Sequence, residues 1–360
     1  MDEKLRVGII GAGFYAMSVH VPVLKMTGRA EIVAVCRRNE ERLAMAQAQA
    51  GANEAYTDWR EMLGKAEMDA VVICTPHNLH CEQTVAALEH GLHVLVEKPM
   101  ALTAAEGWAM VDAARRADRV LMPAYAARLM QMPRAVKQAL DQGLIGRVRQ
   151  ITTMHAAYFN WNFTSRVVPE DLQAMGLKFS GLPAEFFNNW QVDEDSWNWR
   201  GDPSQNGGGL FADGGAHLVD LALWFGGAPA TEVVAFMDAT APEIERFVSV
   251  QARLANDVMV TISQSDVNGT VRGIISMTIV GDDGVLTGDY TGIWLQTAAG
   301  REEIKPEWPD LYPAMPFVSC ILDGTPNPIP GVAGAYAAAM SEAAYLSAAE
   351  RRIVSLATPS

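Results

Sequence analysis

Short apolar runs alternate with helix-period segments from the start of the chain to about residue 124. Leu5–Ile10, Glu31–Cys36, Asp69–Thr75, His93–Glu97 and Arg119–Met122 read as strands. The third is continuously apolar, as in a parallel sheet covered on both faces. Between them, Asn39–Ala50 is alanine-rich and stops at Gly51, Asp58–Leu63 is a short helix, and Leu79–Glu89 closes at Gly91. Thr103-Ala-Ala-Glu106 is a capping box, which opens a helix running to about Ala117. Strands alternating with helices predict a doubly wound parallel sheet over residues 1–124.

Beyond residue 125 the pattern changes. Pro133–Gln142 is a helix with proline near its start and Gly143 at its end. Alternating segments follow at Val148–His155, Glu232–Asp238, Phe247–Leu254, Val258–Ser265 and Gly273–Val280, with Gly281–Gly284 as a hairpin turn. Strands without helices between them predict a second α+β domain, residues 125–360, with a large, mostly antiparallel open sheet. An irregular stretch rich in Trp, Asn and Pro fills residues 159–206, and a loop of that length in a compact domain is usually functional. Gly334–Glu350 is an alanine-rich closing helix.

Composition narrows the function classes. With 360 residues the chain can bury two cores, and 49% hydrophobic against 19% charged residues is an ordinary globular balance. A net charge of −14 argues against nucleic acid or an anionic membrane as partner. Met1-Asp2-Glu3-Lys4 leads directly into a strand, and no apolar run approaches a membrane span, so a cytoplasmic protein is expected. Cys36, Cys74, Cys81 and Cys320 show no C-x-x-C spacing and read as free thiols.

The candidate chemistry starts at the first turn. Gly11-Ala12-Gly13-Phe14-Tyr15-Ala16 gives the spacing G-x-G-x-x-A between a strand and a helix. Gly11 permits a tight turn, Gly13 lets backbone approach a pyrophosphate, and Ala16 keeps the helix close to the strand. Where an NAD site usually carries an acid for the ribose 2′-hydroxyl, this chain has Arg37 and Arg38, with Arg42 one turn on. Guanidinium groups suit a 2′-phosphate, so NADP is expected rather than NAD, although NAD stays possible and a solvated helix start would also explain the arginines.

Three stretches together, the glycine turn, Glu97-Lys98-Pro99 and Asp213-Gly-Gly-Ala-His217 after Gly207-Gly208-Gly209, resemble the glucose–fructose oxidoreductase/inositol dehydrogenase (Gfo/Idh/MocA) family. Thr75-Pro76-His77-Asn78 with His80, Trp199-Arg200 and the C-terminal helix extend the resemblance over nearly the whole chain. Three features depart from the family pattern: Arg37 in place of the usual acid, the glycine-turn histidine displaced to His20, and a longer segment from Asn160 to Trp197.

The resemblance implies metal-free hydride transfer between nicotinamide and a secondary alcohol or ketone of a sugar or cyclitol. Lys98 would be the main acid/base, with Asp213 and His217 on the substrate hydroxyl; four apart, these two share one face of a helix, with Asp220 one turn on. It implies cofactor contacts for Phe14, Tyr15, Thr75, Pro76, Asn78, His80, Glu97, Lys98, Trp199 and Arg200, Lys98 at the nicotinamide ribose. Tyr158 and Trp161, with their flat apolar faces, are candidates for lining a sugar pocket, alongside Trp190 and Trp197. The uncovered face of the second sheet implies a homodimer or homotetramer.

Plainer readings stand beside these. Lys98 can be a surface lysine, Asp213 and His217 a helix cap and a core histidine, and the pairs His77/His80 and His90/His93 suggest a metal. Two other functions are open: a glycoside hydrolase or lyase that keeps its nicotinamide bound and oxidises substrate transiently, or a non-catalytic NADP-sensing protein. Steady absorbance change at 340 nm separates the first from a dehydrogenase, and indifference to loss of Lys98 marks the second.

Overall fold

The computed structural model describes residues 4–157, 198–239, 243–267, 274–289 and 291–357. The first sheet has six parallel strands in the order β3-β2-β1-β4-β5-β6. They are β1 (Leu5–Ile10), β2 (Ala30–Cys36), β3 (Glu54–Tyr56), β4 (Ala70–Ile73), β5 (His93–Val96) and β6 (Leu121–Pro123). The chain winds outward from β1 to β3, then crosses back to β4. That reversal opens a crevice at the carboxyl ends of β1 and β4, where ligands of open α/β sheets bind.

Local chemistry places the helices between these strands. The Asn39 side chain accepts from the Arg42 amide to start α2 (Glu40–Ala50), and Gly51 ends it at φ +69°. Asp58 caps α3 (Trp59–Lys65). α4 (His80–Glu89) follows β4. Thr103 and Glu106 close both halves of the capping box that opens α5 (Ala104–Ala117). One expectation changes at the glycine turn. The helix there begins as a wide π-turn, Ala16–His20, before α1 (Val21–Met26). Pro22, near the start of α1, lacks the N–H that a tighter continuation would use.

The second sheet has nine strands in the order β14-β13-β12-β11-β7-β10-β9-β8-β15. Every pair is antiparallel except β7 (Val148–Ala157) with β10 (Met259–Asp266). β8 is Ala230–Met237, β9 Phe247–Leu254, β11 Ile274–Gly281 and β12 Gly284–Asp289, close to the bounds the alternation predicts. β13 (Gly292–Thr297), β14 (Gly300–Ile304) and β15 (Val354–Ser355) complete it. Strand β9 shows the logic: Val248, Val250, Ala252 and Leu254 are buried, while Phe247, Ser249, Gln251 and Arg253 are exposed. Among the described residues nothing covers the outer face, which also exposes Phe236 and Met259.

The inner face is covered by α7 (Ala216–Gly226) and α9 (Gly331–Glu350); α6 (Gln131–Asp141) and α8 (Ala314–Asp323) complete the helices. The C-terminal helix starts three residues earlier than predicted, after Pro330. It packs on both β8 and α5, tying the two sheets together. Small residues permit this contact: a Cβ on Gly107 would lie 2.8 Å from the Ala335 Cα. No helix among the described residues is long and apolar enough to cross a membrane.

Candidate active site

A cavity of about 1050 Å³ opens at the carboxyl ends of the first sheet. Gly11, Gly13, Phe14 and Tyr15 line its floor, Arg37 and Arg38 one end, and Thr75, Pro76, Trp199 and Arg200 the other. Gly11 has φ +85°, and a Cβ there would meet the Cys74 carbonyl and the Thr75 amide at 2.8 Å. Only glycine lets the backbone cross its neighbour so closely. Ala16 is fully buried behind the turn, as its spacing predicts.

Beyond Arg200, charges from both halves of the chain converge. Lys98 leaves the end of β5, and its ammonium donates to the Asp213 Oδ1 and, at 3.2 Å, to the Asp213 carbonyl. Arg200 Nε donates to the other carboxylate oxygen at 3.1 Å. One buried carboxylate therefore holds two cations. Burial pushes the Asp213 carboxyl up, but Lys98 and Arg200 outweigh it and hold it far below the usual carboxylate range. Asp213 is thus an anion at neutral pH, held between two cations. With two of its three N–H bonds on Asp213, Lys98 keeps one donor for an incoming oxygen.

The turn carrying Asp213 is built by three glycines. A Cβ on Gly207 would strike Leu102, one on Gly208 the Tyr345 hydroxyl, and one on Gly209 Glu245. Glu245 Oε1 accepts from the amides of Gly209 (3.0 Å) and Phe211 (2.8 Å) and from the Tyr345 hydroxyl (2.7 Å). That hydroxyl accepts in turn from the Ala212 amide at 2.9 Å. Capped this way, Phe211–Gly215 winds as a π-turn instead of the regular helix the four-residue spacing predicts. Asp220, expected one turn along the same face, points elsewhere and pairs with Arg128.

His217 lies two residues past the π-turn. Its Nδ1 is buried without a partner among the described residues, and the ring meets Tyr125 edge-on at 6.3 Å. Burial and then the Lys98 charge lower its pKa to about 3, so it is neutral at pH 7, with one ring nitrogen able to accept a hydrogen bond. Burial likewise lowers His155 to about 4. A histidine kept neutral on folding contributes stability above its ordinary pKa near 6.5, and that contribution is lost as pH falls toward 3. The urea midpoint of the protein should therefore fall more between pH 7.5 and 5 than that of His217→Gln. Equal losses in the two would remove His217 from acid destabilisation.

Other expected contacts resolve differently. Arg42 lies along α2 outside the cavity lining; its amide donates to the Asn39 cap, and its Nη1 lies 3.9 Å from Met45 Sδ on the same helix. Asn78 is exposed and also off the lining. His80 is buried off the lining, its ring nitrogens 2.8 and 2.9 Å from the Pro99 and Thr75 carbonyls, so it ties the two loops together. Glu97 faces away from the cavity and pairs with His20 at 2.7 Å. Burial raises this carboxyl, but His20 and Lys98 outweigh it and lower it. Lys98 and His217 also stand off the cavity lining, Lys98 reaching it through Asp213 and Arg200.

His77, Asn206 and Trp199 were not singled out together, yet they join the halves. His77 Nδ1 is 2.9 Å from the Asn206 carbonyl, and its ring meets Trp199 edge-on at 4.6 Å. Asn39, Thr57, Trp59, Arg60, Glu82 and Gln83 also line the cavity. Position is the sequence signal for Asn39, after β2, and for Glu82 and Gln83, in the helix after β4; β3 is too short to give one for Thr57, Trp59 and Arg60. Tyr158, Trp161, Trp190 and Trp197 lie outside the described residues.

All four cysteines are free. Cys74 Sγ, a His20 nitrogen and a Glu97 oxygen lie within 4.8 Å of one another, and His20 Nε2 pairs with Glu97 Oε1 at 2.7 Å.

Comparison with known proteins follows the same two halves. Residues 5–125 match the Gfo/Idh/MocA model described as an oxidoreductase family with an NAD-binding Rossmann fold, and residues 181–287 match the C-terminal domain model of that family. The chain is 31% identical over 236 residues to D-glucoside 3-dehydrogenase of Escherichia coli, covering 65% of this chain and 57% of the relative. It is 28% identical over 233 residues to levoglucosan dehydrogenase of Pseudarthrobacter phenanthrenivorans, covering 62% and 52%. The alignments thus span about half the length of these relatives. Among solved structures, a levoglucosan dehydrogenase complex with NADH superposes with a TM-score of 0.80 at 21% identity, covering 99% of this chain and 100% of that one.

Proposed function

This chain belongs to the Gfo/Idh/MocA oxidoreductase family, and we propose that it is an NADP-preferring enzyme interconverting a secondary alcohol and a ketone on a sugar or cyclitol. The observation that carries the proposal is the joint between cavity and charge cluster. The glycine-turn cavity runs into Arg200, and Arg200 shares Asp213 with Lys98. The fit to a dinucleotide rests on the Gly11 crossing, which leaves no room for a side chain beneath a pyrophosphate. The relatives act on glucosides and levoglucosan by name, which supports the substrate class.

A nicotinamide bound there supplies or takes the hydride. The chain's own part is positioning and proton transfer. Thr75, Pro76 and Trp199 shape the inner end of the cavity, the Thr75 hydroxyl fixed by Gln83 at 2.6 Å. Lys98, oriented by Asp213, gives a proton to the substrate oxygen in reduction and accepts it in oxidation. Neutral His217 orients the hydroxyl or shares its proton. The uncovered outer face of the second sheet, with exposed Phe236, Phe247 and Met259, supports assembly as a homodimer or homotetramer.

Cofactor choice is tested by titration. NADP(H) should bind about tenfold or more tighter than NAD(H), a gap of roughly 1.4 kcal/mol. Arg37→Ala with Arg38→Ala should erase most of that gap. Superimposable curves for the two cofactors on the unmodified protein would end the NADP reading. A screen of sugars, cyclitols and their keto forms, followed at 340 nm, tests the substrate class; no turnover with any of them counts against it.

A further inference from the structure

The cavity lining holds a charged pair that the proposal above does not use. β2 and β3 run side by side, with Cys36 opposite Tyr56. The residues after each strand therefore leave the sheet together. Arg37 and Arg38 come from one, Trp59 and Arg60 from the other, and all four line the cavity. The Arg60 guanidinium sits over the Trp59 ring, 4.2 Å from its centroid. Its Nη2 lies 2.5 Å from Glu82 Oε1 on α4, and its Nη1 lies 4.0 Å from Asp58 Oδ1. Glu82 lines the cavity as well.

Both ends of the Arg60–Glu82 pair are more than half exposed, at 58% and 56%. Such a pair adds little to stability and exchanges readily. A phosphate carries more charge than a carboxylate and matches the planar fork of a guanidinium in two hydrogen bonds. The Trp59 ring keeps the fork oriented while partners change, since a cation over an aromatic face is itself favourable. We propose that Arg60 is a third guanidinium of the 2′-phosphate subsite, a specificity-determining residue that Glu82 holds in place until a phosphate takes it over. The inference rests on the NADP reading. It differs from it in assigning part of the selectivity to α3, away from the strand tip where Arg37 and Arg38 sit.

The experiment uses calorimetric titration with two small probes, adenosine 2′,5′-bisphosphate and 5′-AMP, on the full chain. The unmodified protein should bind the bisphosphate about tenfold tighter or more. Arg60→Met should lose about fivefold or more in bisphosphate affinity and stay within about twofold for AMP. Glu82→Gln should tighten the bisphosphate and leave AMP unchanged, because it frees Arg60 and removes a repelling charge. Lys65→Met, on the same helix but paired with Glu61 outside the cavity, controls for net charge and should change neither probe. Equal binding of both probes to the unmodified protein would overturn this inference and the NADP reading together. A preference that survives Arg60→Met, or an equal loss in Lys65→Met, would overturn this inference alone and leave the selectivity with Arg37 and Arg38.

Discussion

Lys98→Met should cut the turnover number by about 10²–10⁴-fold while NADP(H) still binds, because a positioned acid/base typically contributes that much. Methionine keeps the length and most of the packing of the lysine stem and deletes only the ammonium. The cofactor constant should hold because Lys98 stands off the cavity and reaches it only through Asp213 and Arg200. Arg200 still balances the Asp213 carboxylate in the variant, so the local fold should survive. His217→Ala should lose a comparable factor if neutral His217 accepts the proton, and much less if it only orients the hydroxyl. The double variant should lose less than the product of the two, since groups acting as a unit are not additive. Near-normal turnover in Lys98→Met across pH, with His217→Ala inactive, would reverse the two roles.

The sequence shows the first sheet well because its signals are local. The apolar runs, the glycine turn and the Thr103–Glu106 capping box each need only a few neighbouring residues, and each appears in the structure where the pattern places it. The long strands of the second sheet are equally readable, since alternation over eight residues survives any loop around them. β3 is different. Three residues cannot show a period, so Trp59 and Arg60 could not be assigned to a strand's carboxyl end, and their place in the cavity went unseen. Polar, exposed β14 gives no alternation either.

The site was legible in its residues and not in its geometry. Lys98, Asp213 and Arg200 do meet. The helical spacing from Asp213 to His217 misleads because the turn is shaped from far along the chain. Glu245 and Tyr345 cap it, and Gly207–Gly209 leave room for them and for Leu102. No window around Asp213 contains that information. Arg42 is a local case: Asn39 caps the helix through the Arg42 amide, and the residue lies off the cavity lining.

The largest stability effect should come from the pair the helical spacing misplaced. Arg128 grips Asp220 through two bonds of 2.7 Å, with side chains 7% and 0% exposed. The guanidinium also lies 5.3 Å from the Trp224 ring centroid. Asp220 sits on α7, one turn past His217, and Arg128 on the segment that leaves the first sheet. The pair thus ties the helix that carries His217 to the segment that follows β6. Asp220→Asn keeps the shape and removes the charge, leaving a buried guanidinium uncompensated. Breaking a buried pair in this way costs about 3–5 kcal/mol, to be read from the shift in denaturant midpoint. Replacing both partners with apolar residues, Arg128→Met with Asp220→Leu, should recover most of that loss, because neither charge is then left buried. Turnover separates docking from stability. If the pair positions His217, the double variant should regain its midpoint and still turn over more slowly than the unmodified protein. A single variant within about 1 kcal/mol of the unmodified protein would show that water reaches Arg128 and that the pair is not the joint described here.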